Sequence, residues 1–405
     1  MERLEQKEHD FGTKLRQDSV IGNLHEFIAW QRKLRKSKGA ARFPRRGPIS
    51  INLDLTAACN FACPHCVDSK LIFTREQLTL ENIRPSIDTL VDNGLLSVIV
   101  IGGGEPTLHK DFEGIVRILK ARRLEVGIAT NGSQLAKISR IADVLEEGDW
   151  VRLSLDAGSE ETFFKSHRPR GNVHLERILK DARALKEKNP CITLGYSFVI
   201  VWGGIVVNGH ELCPNIDEMA GAVELAQTYA FDYVSFKPCL VRLEGSQKES
   251  LLVGPDSRRE DGIIRDIRQH LHKAKEAGAG RIKILESVNL QAMLEKRVQE
   301  LKRQPRVCHA QFFRTVLAPA GIFHCPALRG VAKGKIAEND GYAGDKQFAM
   351  TQSNLEQSIQ AFDAAQECSE VACFYHHMNW WIENFIQSDK DVGEIGRVED
   401  NNFFL

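Results

Sequence analysis

Ten cysteines in 405 residues are too few for a disulfide scaffold, yet seven of them fall in two groups that invite metal chemistry. The first group is Cys59, Cys63 and Cys66, spaced C-x3-C-x2-C on one short stretch. Three thiolates on one loop can hold three corners of a 4Fe–4S cube and leave one iron open to another ligand. A structural zinc would want a fourth local donor, and His65, lodged between two of the cysteines, is poorly placed to chelate with them. The second group is Cys308, Cys325, Cys368 and Cys373. Its first two members enclose two apolar runs around Pro319-Ala-Gly321, a hairpin signature, and its last two lead into an apolar, aromatic helix over 374–386. Four thiolates suit a second iron–sulfur cluster in a chain that already carries one such motif, with a structural zinc the main competitor. Cys191 and Cys213 read as core or loop filler.

These groups must be carried by something rigid. From residue 51 a strand–helix alternation begins, with strands expected over 51–56, 97–101, 125–130, 151–156, 191–201 and 233–239. Helical patterns fill 76–93, 112–121, 134–145, 176–188 and 216–229. Six strands alternating with helices imply a parallel sheet with helices outside. The alternation within the strands is not that of a sheet buried on both faces. In Ile51-Asn-Leu-Asp-Leu-Thr56 and Val151-Arg-Leu-Ser-Leu-Asp156 every second residue is polar, and Ser197, Ser235 and Lys237 continue that face. Successive side chains point to opposite sides, so the polar set lines a ligand cavity. The fold class is therefore α/β, an open partial (β/α)6 barrel with a polar interior. Cys239 falls on the same inward phase.

Composition agrees. The chain is 42% hydrophobic and 27% charged, enough to bury a core. Lys plus Arg and Asp plus Glu number 54 each, so no net charge steers the chain to nucleic acid or an anionic membrane. The first residues are polar, without the apolar core of a signal peptide, which makes a cytoplasmic location the expectation. The longest uncharged stretch, 189–209, is broken by Gly and Pro and reads as a buried strand entering a loop. A basic run over 31–46 reads as a solvated arm. The expected division is a helical, basic extension over 1–48, the barrel over 49–240, a helical linker over 241–305 with helices at 259–277 and 290–304 around a strand at 281–285, and a cysteine-bearing domain over 306–405.

A C-x3-C-x2-C loop after a first strand, followed by Gly102-Gly-Gly-Glu105-Pro106 after the second, resembles the radical S-adenosylmethionine (radical SAM) superfamily over residues 51–240. The resemblance implies that Cys59, Cys63 and Cys66 hold a 4Fe–4S cluster whose open iron takes S-adenosylmethionine. His65 would stand at the aromatic position near the adenine. Gly103, Gly104 and Glu105 would hold the methionine ammonium, Asn131, Ser154 and Asp156 the ribose and methionine, and Arg168 or Arg170 the carboxylate. Ser197 and Lys237 are further candidates for the chamber, and Cys239 a candidate hydrogen-atom donor. The second cysteine group resembles the twitch extension, a shortened SPASM extension, which holds an auxiliary 4Fe–4S cluster; here three residues, not the usual four, separate Gly321 from Cys325. The implied activity is one-electron cleavage of S-adenosylmethionine to a 5′-deoxyadenosyl radical that takes a hydrogen atom from a small polar metabolite, such as a sugar, nucleoside, cofactor or natural-product intermediate. A one-electron reductant such as flavodoxin or ferredoxin is expected, and neither nucleic acid nor membrane. A peptide-modifying maturase is the second reading, and a non-catalytic electron carrier the third.

Overall fold

The computed structural model describes residues 10–37, 41–72, 74–207, 209–251 and 257–399. The six expected strands form, as β1 (Ser50–Asp54), β2 (Ser97–Ile101), β3 (Glu125–Thr130), β4 (Trp150–Ser154), β5 (Thr193–Ile200) and β6 (Tyr233–Pro238). Each pairs in parallel with the next, and the row is extended at both ends. After β6 the chain makes a small antiparallel hairpin, β7 (Leu240–Arg242) with β8 (Glu249–Leu251). Then β9 (Lys283–Glu286) adds in parallel to β6. At the other end β10 (Arg314–Ala318) lies parallel to β1, and β11 (Gly321–Phe323) and β12 (Lys335–Ala337) continue antiparallel. The result is one 10-stranded sheet in the order β9-β6-β5-β4-β3-β2-β1-β10-β11-β12, mostly parallel and not closed into a barrel.

Alternation decides which face is which. Ile51, Leu53, Val98, Val100, Val126, Ile128, Val151, Leu153, Leu194 and Tyr196 are buried in one continuous core with the outer helices. The inner phase carries Arg152, Ser154, Ser197 and Lys237. Register puts Ser154 beside Ser197 and Val199 beside Lys237. Two glycines on this inner face make room for aromatic rings. A Cβ at Gly127 would stand 2.3 Å from the Trp150 ring, and one at Gly195 would stand 2.2 Å from the Tyr233 ring. Indole and phenol thus fill the inside of the sheet below the polar positions.

Several elements depart from the sequence pattern. The helix expected over 76–93 starts at Leu80, because Thr79 caps it by accepting from Asn82 N. The helix expected over 134–145 is only Leu135–Arg140. Asp149 captures the Glu146 and Val126 amides at 2.8 and 2.7 Å, and that favours a turn over further helix. The helix expected over 290–304 is two short ones, Val288–Leu294 and Val298–Leu301, broken where Lys296 takes a positive φ of 58°. The basic run divides: Arg42, Arg45 and Arg46 are exposed and outside any helix, whereas 31–37 is not a free arm. That first part belongs to the helix Ile21–Ser37, whose Arg32 donates to the Phe385, Ile386 and Ser388 carbonyls at the end of the helix His376–Gln387. Arg35 makes a two-pronged ion pair with Glu383. A helix C-terminus presents unpaired carbonyls, which explains why guanidinium groups gather there. Among the described residues no helix is long and apolar enough to cross a membrane.

Candidate active site

The cysteine loop leaves β1 and is pinned on three sides. Leu55 and Ala57 exchange hydrogen bonds with Leu78 and Glu76. Ala62 N donates to the His167 carbonyl and Arg170 N to the Asn60 carbonyl, which ties the loop to the end of the helix Glu160–His167. Phe61 sits against Phe163 and His167 at ring separations of 6.0 and 5.7 Å. On the third side, Gly104 N donates to Thr56 O and Glu105 N to Ala58 O. A Cβ at Gly104 would lie 2.2 Å from the Ala58 carbonyl oxygen, so only glycine permits this approach.

So held, Cys59, Cys63 and Cys66 line one cavity of about 360 Å³ together with Gly102, Gly104 and the inner-face residues. Burial and the neighbouring thiols push Cys63 well up, burial and Asp68 push Cys66 up to about 12, and burial raises Cys59. Three crowded thiols kept in their neutral form are a donor set that a cationic metal centre would ionise. The Phe61 amide already lies 3.4 Å from Cys59 Sγ, and His167 Nδ1 lies 3.2 Å from Cys63 Sγ. Cys239 also lines this cavity, but from the end of β6 and not from the loop, and the three loop thiols fit a cluster with one open iron.

The candidate S-adenosylmethionine contacts divide. His65, Glu105, Asn131, Ser154, Asp156, Ser197, Lys237 and Cys239 all line the cavity. Gly103 does not: its place for a Cβ faces Leu71. Arg168 is exposed, ends its helix in the left-handed region with φ 44°, and lines a separate open groove beyond His65 with Lys165, Glu211 and Cys213. Glu105 is already engaged. Its carboxylate accepts from Thr107 N, Thr107 Oγ1, Thr130 Oγ1 and Asn131 N at 2.5–3.0 Å. Burial nevertheless raises its pKa. Its evident work is to brace the turn that presents Asn131, which bonds on to Asn60 of the cysteine loop. Asp156, at φ 50°, accepts from Val199 N at 2.7 Å and faces His65 and His167 at 3.3 and 3.5 Å. Burial pushes this carboxyl up, but the His65 hydrogen bond, the two imidazoles and the Val199 amide bring it below its usual value. Burial pushes the Cys239 thiol up to about 12, so it keeps its hydrogen.

His167 and two salt-bridged arginines carry no signal in the sequence pattern. Arg329, four residues after Cys325, is buried between Asp54 at 2.7 Å and Asp68 at 2.6 Å. Arg242 bridges Asp68 and Glu249 at 3.4 Å each. Asp54 ends β1 and Asp68 follows Cys66, so this network clamps both ends of the first cysteine loop to the second cysteine region.

That second region is also assembled. Cys308, Cys325, Cys368 and Cys373 line a single small cavity, bounded by Gln304, His324, Tyr375 and Asn379. Burial raises each thiol, with the other three cysteines adding to the rise at Cys373. Asn379 Nδ2 stands 3.9 Å from Cys308 Sγ. The four donors suit an iron–sulfur cluster or a tetrahedral zinc. Two residues, Leu240 and Glu249 of the β7–β8 hairpin, line both this cavity and the larger chamber.

Residues 53–212 match the model of the Radical SAM superfamily. The chain carries a radical SAM domain. Over 116 residues the chain is 34% identical to the mycofactocin maturase MftC of Mycolicibacterium smegmatis, covering 28% of this chain and 29% of that protein. A further 113 residues' alignment is 32% identical to an S-adenosylmethionine-dependent nucleotide dehydratase of Selenomonas ruminantium, covering 28% and 40%. The chain thus spans less than half of the length of these curated relatives. The fold extends beyond the radical SAM domain. Streptococcus suis SuiB, solved with the precursor peptide SuiA, superposes with a TM-score of 0.58 at 17% identity over 95% of this chain and 80% of that one. The S-adenosylmethionine-bound structure of anSMEcpe gives 0.52 at 12% identity over 86% and 99%. These superpositions agree with the open, mostly parallel α/β sheet.

Proposed function

We propose that the protein is an enzyme that holds a 4Fe–4S cluster on Cys59, Cys63 and Cys66, binds S-adenosylmethionine at that cluster, and takes a hydrogen atom from a small polar metabolite. The observation that carries this reading is the convergence of three thiols of one loop on a chamber whose opposite wall is Ser154, Asp156, Ser197 and Lys237, with Cys239 the one further cysteine on that wall among the described residues. When bound, the cluster and S-adenosylmethionine supply one-electron cleavage of a carbon–sulfur bond and a 5′-deoxyadenosyl radical. The chain's own residues hold and enclose. Asn131, braced by Glu105, and Asp156, anchored by Val199 N, offer fixed polar groups near the cysteine loop. Ser154, Ser197 and Lys237 are the groups best placed to orient a hydroxylated or anionic substrate on adjacent strands. Ile101, Ala129 and Val199 complete the wall with apolar surface, which protects a radical from side reactions. A one-electron donor must reach the first cluster from outside, and Cys308, Cys325, Cys368 and Cys373 fit an auxiliary 4Fe–4S cluster that accepts an electron from the substrate radical or serves a redox-neutral outcome.

A peptide substrate is the second reading. It is favoured by the open groove that shares His65 with the chamber and continues past Phe164, Lys165 and Glu211. The deciding experiment is anaerobic reconstitution with iron and sulfide, reduction with dithionite, and chromatographic measurement of 5′-deoxyadenosine. The native chain should form it and the Cys59/Cys63/Cys66→Ala variant should not. A native chain that binds iron and S-adenosylmethionine but forms none would be an electron carrier, and the proposal would fall. Precursor-like peptides and small metabolites added to the same assay separate the two substrate classes by which one accelerates turnover.

A further inference from the structure

The wall of the four-cysteine cavity contains two buried polar side chains that make no well-formed hydrogen bond. His324 is 2% exposed; backbone groups of His324 and Lys333 approach its ring, but neither ring nitrogen makes a well-formed hydrogen bond. Tyr375 is 4% exposed and its hydroxyl is likewise unpartnered. Both side chains are held firmly. The His324 ring meets Phe362 edge-on at 4.8 Å, and its backbone amide donates to the Gly334 carbonyl. The Tyr375 ring packs between Phe11 at 4.6 Å and Phe374 at 4.3 Å. Each is also tied by the chain to a thiol, since His324 precedes Cys325 and Tyr375 follows Cys373 by two residues.

An unpaired buried donor costs about 1–3 kcal/mol. If these positions served packing alone, Phe at 375 and an apolar side chain at 324 would pack as well without that cost. An imidazole at 324 carries at least one N–H to give in either protonation state. The groups that would repay both donors are sulfur atoms carrying negative charge, and the cavity is built from four of them. We infer that His324 and Tyr375 each donate one hydrogen bond to sulfur of the metal centre held by Cys308, Cys325, Cys368 and Cys373, and so raise its reduction potential. This rests on the reading of that centre as an iron–sulfur cluster. The physical reason is that reduction adds one negative charge to the cluster, and a fixed N–H or O–H dipole aimed at it stabilises the reduced form more than the oxidised one. With every ligand corner filled by cysteine, such a centre is equipped to accept an electron, not to bind substrate directly.

The test uses the full chain reconstituted anaerobically, with iron, sulfide and zinc counted and both midpoint potentials measured by redox titration followed by electron paramagnetic resonance. Tyr375→Phe removes one oxygen and nothing else, and His324→Phe keeps an aromatic ring. Each should make the auxiliary centre harder to reduce by several-fold up to tenfold, the latter being about 59 mV for one electron. The first cluster's potential and the iron count should not change. Each variant should also lose one exchangeable-proton coupling from the pulsed spectrum of the reduced auxiliary centre, and His324→Asn, which keeps an N–H, should recover part of the loss. Unchanged potentials and couplings with about eight irons bound would overturn the inference and leave the second cluster standing. Zinc in the site, or only about four irons, would overturn both.

Discussion

Replacing Arg329 by Met should expose how much the clamp between the two cysteine regions matters. The guanidinium is buried and faces Asp54 at 2.7 Å and Asp68 at 2.6 Å. Asp68 would keep Arg242, but Asp54 would lose its cation. Removing one partner of a buried ion pair costs about 3–5 kcal/mol. Unfolding entropy of about 2.1 cal/mol/K per residue makes each kcal/mol worth roughly 1.2 °C in a chain of 405 residues unfolding as one unit, so the melting temperature should fall by about 4–6 °C. Burial already pushes the Asp54 carboxyl up to about 7, against the attraction of Arg329. Without that attraction the value rises further, and above pH 7 the folded variant retains a proton that both its unfolded form and the native protein have released. Stability of the variant therefore keeps falling as pH rises from 7 to 8, where that of the native protein has levelled off. The deficit should be larger at pH 8 than at pH 6. Adding Asp54→Asn, which removes the orphaned charge, should restore most of the loss. The assay is thermal unfolding of the reconstituted protein under argon, followed by circular dichroism at both pH values. A deficit under about 1 °C at pH 8, a larger deficit at pH 6, or a double variant no better than the single one would refute the reasoning.

Gly104→Ala drives a Cβ into the Ala58 carbonyl at 2.2 Å, whereas Gly103→Ala meets only the Leu71 side chain at 3.4 Å. Overpacking of this kind costs about 1–3 kcal/mol, so S-adenosylmethionine binding, measured by equilibrium dialysis, should weaken roughly 5- to 150-fold in the first and stay within about threefold in the second. Equal effects would show that the close approach is not what the glycine is for. Glu105→Gln replaces one acceptor oxygen by an NH2 group among four donors, at a cost of about 1–3 kcal/mol. Hydrogen exchange at residues 130–132 should speed up accordingly, and an unchanged rate would remove the bracing role. Cys59/Cys63/Cys66→Ala and Cys308/Cys325/Cys368/Cys373→Ala should each bind about four irons where the native chain binds about eight, and a native count of four would leave a single cluster.

The sheet was legible because its strands are β-branched or alternating runs set between helical patterns. The segments 97–101 and 125–130 form strands over those very residues, and the polar phase of Ser154, Ser197 and Lys237 does face the chamber. What escaped the sequence depends on contacts between distant residues or on backbone conformation without its usual residue. The break at Lys296 is closed by Arg297 N donating to Ala292 O, a helix stop normally announced by glycine, and no glycine stands there. Arg168 likewise ends its helix at positive φ without a glycine, and that turns it away from the chamber where the family pattern would put it. His167, which reaches Cys63, and Arg329, which reaches Asp54, look in the sequence like any surface histidine or arginine. The arginines at 32 and 35 looked like a solvated run because nothing near them in sequence reveals the carbonyls and the Glu383 carboxylate they meet.

The position of β1 between β2 and β10 has a consequence for biosynthesis. Residue 50 is paired with residue 314, so a ribosome must deliver the whole intervening sequence before the strand that launches the cysteine loop gains its second neighbour. Until then its edge offers a row of open amides and carbonyls to any other chain. Arg329 arrives later still. A polypeptide cut short at residue 305 should therefore aggregate during translation where the longer one survives.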